Sequence, residues 1–294
     1  MKTPLFNAIA IACYNTDMTV REYYTTHFNE LSAKKQFHFA TRIKNWFKTD
    51  QFDHFLANHE LNRDLASVLA NDDFSRVNYY AERKEYFEKY AGLYATEATL
   101  FNVLHLLQEY NIDLRDEFLE LYGGREKLYA LADALRSDGA AFFTLSSFAV
   151  NVIALTEEFF PRRIDVYAEM LEKALNVEQN EKSIYLYTHI LLCESRFYHR
   201  EILQHQELYL RALNNCDRII AEKYDDISLD IKFEFLVCAK MLNYHSENED
   251  KIRIEAQNNK ANFVRDPRKP DRLNTFDGAE HRNVLYIMSG LDVE

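Results

Sequence analysis

GAAFFTLSSFAVNVIALT, residues 139–156, runs eighteen positions without a charge, between Asp138 and Glu157. As one helix it would be about 27 Å long, just short of a typical hydrocarbon core. It carries Thr144, Ser146, Ser147 and Asn151, and no second stretch like it occurs. A helix that is apolar all round is a buried helix, so the segment reads as a central helix wrapped by others rather than as a membrane span.

The rest of the chain supplies the wrapping. Six Gly and four Pro are spread over 294 residues, where average usage gives about 35 of the two together. Both residues punctuate strands and tight turns, and both are costly inside helices. So little punctuation predicts an all-α chain with short polar turns. The 47% hydrophobic content, rich in aromatics with 21 Phe and 19 Tyr, is enough to bury a sizeable core.

Forty-seven acidic against 35 basic residues give a net charge of −12. That field repels phosphate backbones, so no nucleic-acid partner is expected without a local basic patch; no membrane is expected either, since the one uncharged stretch reads as a buried helix. Cys13, Cys193, Cys216 and Cys238 include no CxxC pair. They read as reduced thiols of a cytoplasmic protein. The opening MKTPLFNAIAIAC has one Lys and a short apolar run broken by Asn7, which reads as a first helix rather than an export signal.

Helix signals recur along the chain. Thr19 and Glu22 form a capping-box pattern opening a run to Leu31. Ser32 can cap the next run, in which Phe37, Ala40, Ile43 and Phe47 recur at helical spacing. Short helices are expected near 50–58 and 62–71. Asp72 or Asp73 can cap a long stretch in which Tyr79, Arg83, Tyr86, Tyr90 and Tyr94 share one face, with a break at Gly92. Further helices are predicted over 96–110, 114–122 and 125–136, the last two joined at Gly123-Gly124. Pro161 suits the first turn of a helix running to Asn176. Then come 181–198, 201–223, 228–243 and a polar stretch near 246–260.

Residues 262–283, NFVRDPRKPDRLNTFDGAEHRN, hold two of the four prolines and an Asp277-Gly278 turn signal. This is the one long non-helical segment expected. Its apolar anchors, Phe263, Val264, Leu273 and Phe276, and the following Val284–Met288 make it an ordered strap across the helical body. A long segment of this kind in a compact domain is generally functional or disordered, and an ordered one with this many charges also reads as an ion-paired brace crossing helix ends. Its Arg residues could hold a carboxylate or phosphate.

Searches for catalytic motifs are negative. HExxH, ExxH ligand pairs, Walker loops, GxSxG and GxGxxG are all absent. Glu82/Glu85, Glu117/Glu120 and Glu169/Glu172 are ExxE pairs of the sort that hold Mg²⁺, but so acidic a chain produces them on solvated faces. His189 and Cys193 lie four apart on one helical face, yet the apolar neighbours of Cys193 mark a buried thiol. No catalytic residue, metal ligand or cofactor is assigned.

The expectation is therefore one all-helical domain over 1–294, or two lobes, 1–137 and 139–294. About eleven to thirteen helices form an irregular antiparallel helical-repeat, solenoid-like or large bundle arrangement, closed by the C-terminal strap. The leading function is a non-catalytic scaffold that binds a protein or peptide. Candidate ligand- or partner-binding residues are Arg265, Asp266, Arg272, Asp277, His281 and Arg282 on the strap, with Tyr79, Tyr86 and Tyr90 on the aromatic face. The alternatives are a metal-dependent enzyme acting on a phosphorylated small molecule, or a helical regulator with a small ligand. Either would use the strap or an ExxE face.

Overall fold

A computed structural model describes residues 18–75, 77, 80–162, 165–176 and 180–292. The N-terminal segment read as a first helix, Cys13 and Tyr79 lie outside the described residues. Within them the chain is all-α, with sixteen α-helices. They are α1 (Val20–Thr26), α2 (Ala33–Phe47), α3 (Asp53–Asn58), α4 (Leu65–Ala70), α5 (Tyr80–Lys89), α6 (Leu93–Tyr110), α7 (Arg115–Tyr122) and α8 (Arg125–Ser137). After these come α9 (Gly139–Leu145), α10 (Ser147–Phe159), α11 (Val166–Leu175), α12 (Glu181–Glu194), α13 (Gln206–Glu222), α14 (Leu229–Met241), α15 (Glu249–Asn258) and α16 (Glu280–Met288).

The helices form two layers, and the inner layer closes on itself. In order round the ring, α2 packs on α16, α16 on α14, α14 on α12, α12 on α10 and α10 on α6. The last side, α6 to α2, is joined by a hydrogen bond from Asn45 Nδ2 to Glu109 Oε1 at 2.8 Å and an edge-on contact of Phe37 with His105. α1, α3, α4, α7, α8, α11, α13 and α15 pack outside these six. The sequence explains the layering. α10, α12, α14 and α16 are buried on nearly every side, whereas α8 and α13 bury one stripe and show charge on the other face.

Several expectations are corrected. The uncharged stretch is two helices rather than one. α9 and α10 meet at Ser146, whose φ is 50°, and their axes bend by 106°. Asp138 caps α9 by accepting from Ala141 N, and only α10 is the wrapped central helix. Among the described residues no single helix is long and apolar enough to cross a membrane. Asp72 does not open the tyrosine-bearing helix. Its carboxylate accepts from Gly92 N at 2.7 Å and Ala95 N at 3.1 Å, and so caps α6. Pro161 lies before α11, whose first turn is capped by Asp165. The strap is shorter than expected: His281 and Arg282 belong to the first turn of α16.

The left-handed C-cap expected at Gly123 is present, with φ 96°, and the Thr19–Glu22 capping box forms. α1 is also held from far along the chain. Asp292 accepts from Val20 N at 2.9 Å and Arg21 N at 2.8 Å.

Candidate functional site

The inner ring encloses a cavity of about 590 Å³. All six inner helices contribute to its wall. α2 supplies Lys35, His38 and Arg42, α6 supplies Tyr94 and Glu97, and α10 supplies Ser147 and Phe148. α12 supplies Tyr185 and His189, α14 supplies Asp230 and Glu234, and α16 supplies His281 and Arg282. Most of these residues sit in the first two turns of their helices, so the N-terminal halves converge on the cavity, with Arg42 and His189 a turn deeper. The opposite ends meet elsewhere: Asn45 near the end of α2, Glu109 near the end of α6 and His199 beyond α12 form one hydrogen-bonded group.

The cavity wall is a set of linked polar groups. Asn151 Nδ2 donates to Glu97 Oε1 at 2.8 Å. Asn151 Oδ1 faces His189 Nδ1 and Cys193 Sγ, each at 3.3 Å. This amide orientation assigns the proton of His189 to Nδ1. Its free Nε2 then faces Glu234 Oε1 at 3.8 Å. Glu234 Oε1 also accepts from Thr188 Oγ1. Arg282 Nε donates to Asp230 Oδ2 at 3.0 Å, and its other nitrogens reach Asn274 Oδ1 at 2.9 Å and the Leu273 carbonyl.

Burial tunes these groups in one direction, against charge. It raises the Glu97 carboxyl to about 7, with the Asn151 hydrogen bond and Lys34 opposing. It lowers His189 to about 3, reinforced by Arg42 and Arg83. It lowers His281 to about 4, reinforced by His38. It also raises Glu234. Glu280, beside the cavity, goes the other way. Burial pushes it up, but His38 at 2.8 Å, Lys35 at 3.2 Å and His281 outweigh this and hold it below its ordinary value. The result is a neutral imidazole beside Glu234, which burial raises, and linked through Asn151 to Glu97, a carboxyl that titrates at about 7, the condition for acid–base work.

The residues picked out from sequence divide between this site and other duties. His281 and Arg282 are in the cavity wall. Asp266 is fully buried and caps the ring: it accepts from Leu229 N at 2.7 Å and from Arg268 Nε at 2.8 Å. Asp277 accepts from Ser32 N at 2.7 Å at the start of α2. Both supply acceptors to helix N-termini that lack them. Arg265 lies over the Phe263 ring and Arg272 is exposed. Tyr86 packs against the core, and Tyr90 donates to Asp138 Oδ2 at 2.9 Å. Of the aromatic face, Arg83 and Tyr94 reach the cavity. The ExxE residues are solvent-exposed.

Sequence reasoning missed His38, Arg42, Glu97, Asp230 and Glu234, although His189 drew attention as a ligand. One signal was present: Asn151, the amide inside the uncharged stretch, is 2% exposed and organises Glu97 and His189. Among the described residues no group of three or more His, Cys, Asp or Glu is placed to hold a metal ion. Cys193, Cys216 and Cys238 are buried free thiols on α12, α13 and α14.

Residues 148–292 match a family model described as a domain of unknown function (DUF3541). The match runs from α10 to the end of α16 and so takes in four of the six inner helices. No curated protein and no solved structure matches the chain.

Proposed function

We propose that this chain is an enzyme that takes a small polar molecule into the ring cavity and acts on it by proton transfer. One observation carries the reading: five of the six inner helices, distant in sequence, send titratable side chains into a single cavity, and one of these groups, Glu97, has its carboxyl raised to about 7. Isolated acids on a solvated surface would not show that shift. The volume suits a metabolite or a monosaccharide-sized group. In this reading Glu97 is the general acid or base. His189 and Glu234 form the second proton-bearing pair, and Tyr94, Phe148 and Tyr185 offer stacking faces.

The scaffold reading has less support. Of its tyrosines, Tyr86 and Tyr90 are engaged within the fold, and the exposed large apolar residues Phe47, Leu121, Leu203, Leu210 and Ile254 are scattered over separate elements. Such scatter is ordinary surface. A cytoplasmic location belongs to the same proposal and rests on the buried free thiols.

The test is a thermal-shift screen with sugars, sugar acids, sugar phosphates and amino acids, followed by turnover assays on each hit. A ligand present at a hundred times its Kd stabilises the fold by about 2.7 kcal/mol, a readily measured shift. Glu97→Gln is expected to keep binding and lose about 10²–10⁴ in kcat. Full turnover by Glu97→Gln would refute the acid–base role. Hits that bind equally well when His189 and Glu234 are both replaced would refute the cavity.

A further inference from the structure

The floor of the cavity is built on an unusual backbone. Arg196, Phe197 and Tyr198, three successive non-glycine residues, have φ of 49°, 52° and 77°. Each left-handed residue costs on the order of 1–2 kcal/mol, and strain of this kind persists only where the surroundings impose it. Here they do. Phe197 N donates to the Leu192 carbonyl at 2.7 Å, and Tyr198 N donates to Ser195 Oγ at 3.2 Å. Arg196 is ion-paired with Glu158. Phe101 packs edge-on to Phe197, and Trp46 edge-on to Tyr198.

The turn holds two rings against one cation. The Arg42 guanidinium lies 5.2 Å from the Phe197 centroid and 5.0 Å from that of Tyr198. Among the described residues no carboxylate pairs with Arg42, whereas Arg282 and Lys35 in the same cavity each have one. In a chain of net charge −12, a cavity guanidinium seated on aromatic rings, with Glu234 nearby but no carboxylate in ion-pair contact, is a site suited to an anion. Aromatic faces fix its plane and leave its forked edge free for two parallel hydrogen bonds to an oxyanion.

We propose that Arg42 anchors the ligand through an oxyanion group, a carboxylate or a phosphate. The substrate class is then a small organic acid or phosphate ester, bound anion-first at the floor. This rests on the reading of the cavity as a small-molecule site and deepens it. Arg42 is a binding residue, and the Phe197–Tyr198 turn positions it.

Trp46 is the single tryptophan of the chain and touches Tyr198, so its fluorescence reports on the platform. Acetate and inorganic phosphate are titrated separately into the full chain, at constant ionic strength set with sodium chloride. A saturable change with a midpoint on the order of 1–10 mM is expected, as for a lone anchoring contact. Whichever of the two anions binds more tightly identifies the ligand's group. Arg42→Met should abolish the change. Arg42→Lys keeps the charge over the rings but lacks the fork, and should weaken binding at least several-fold with an unaltered circular dichroism spectrum. No saturable change with either anion, or equal titrations of wild type and Arg42→Lys, overturns the proposal. Neutral sugars that bind while both anions fail would sink the anchor and leave the cavity reading standing. Anion binding at Arg42 with full turnover by Glu97→Gln would sink the acid–base role of Glu97 and leave the anchor standing.

Discussion

Glu97→Gln provides a measurement of stability that needs no knowledge of the substrate. Glutamine keeps the shape of the side chain and the acceptor for Asn151 Nδ2, and removes only the ionisation. The folded protein holds the carboxyl at about 7 against an ordinary 4.5, chiefly through burial. Because the folded value is raised, the carboxyl contributes nothing adverse below about pH 4.5. As pH rises, the unfolded chain ionises first and stability falls, until the loss levels off above about 7. The gap corresponds to about 3 kcal/mol at 1.36 kcal/mol per unit. Water within the cavity screens part of it, so about 2 kcal/mol is expected between pH 5 and 8.5. Urea denaturation of both proteins across that range gives the difference directly, since every other titrating group is shared. The variant's advantage over wild type should be small at pH 5 and grow by about 2 kcal/mol towards pH 8.5. Profiles that stay parallel within about 0.5 kcal/mol would show that Glu97 is an ordinary solvated acid, and the acid–base reading would fall with it.

Asn151→Leu removes the hydrogen bond that opposes burial at Glu97, so the Glu97 titration followed by carbon NMR should move above 7; a downward move contradicts the assigned orientation of the amide. Asp266→Ala strips the buried acceptor from Leu229 N and Arg268, and should cost about 2–4 kcal/mol in urea denaturation, with a cost below about 1 kcal/mol counting against its role as a cap. At Gly278 an added Cβ would sit 2.2 Å from the Arg272 carbonyl oxygen. Gly278→Ala should therefore destabilise by about 1–3 kcal/mol through a forced backbone shift, and an unchanged melting temperature would contradict that turn. Burial raises the thiol pKa values of Cys193, Cys216 and Cys238. Alkylation followed by mass spectrometry should find all three unmodified in the native protein and modified in denaturant, and rapid native labelling of any one would show it to be exposed.

The helices were legible because their signals are local. Capping residues, helical spacing and the scarcity of Gly and Pro act over a turn or two, which is why α6, α7, α8 and α14 fall close to where the sequence predicts them. The bend at Ser146 was not, because an uncharged run has no marker at its midpoint and the left-handed serine is held by packing. The site was harder still. His281 and Arg282 were picked out as part of a charged strap, and they do reach the cavity, but as the opening turn of a helix. Asp266 and Asp277 drew attention for the same charge and turned out to serve helix ends. Glu97, Glu234 and Arg42 look like ordinary charges on amphipathic helices. What distinguishes them is that six separated helices face one another, and a single sequence read along its length does not contain that juxtaposition.

The closure of the ring also orders events in time. Hydrogen bonds such as Ser32 to Asp277 and His38 to Glu280 span 245 and 242 positions. The last wall of the cavity, α16, can dock against α2 only after the chain through Met288 has left the ribosome. Until then α2 and α14 lack the neighbour between them, and the apolar faces meant for α16 stand open to water. Such long-range pairing is slow to form, and a partly made chain with these faces uncovered is a natural client for chaperones. The ring cavity is therefore incomplete in every nascent fragment that lacks α16, and it takes shape only when α16 docks between α2 and α14.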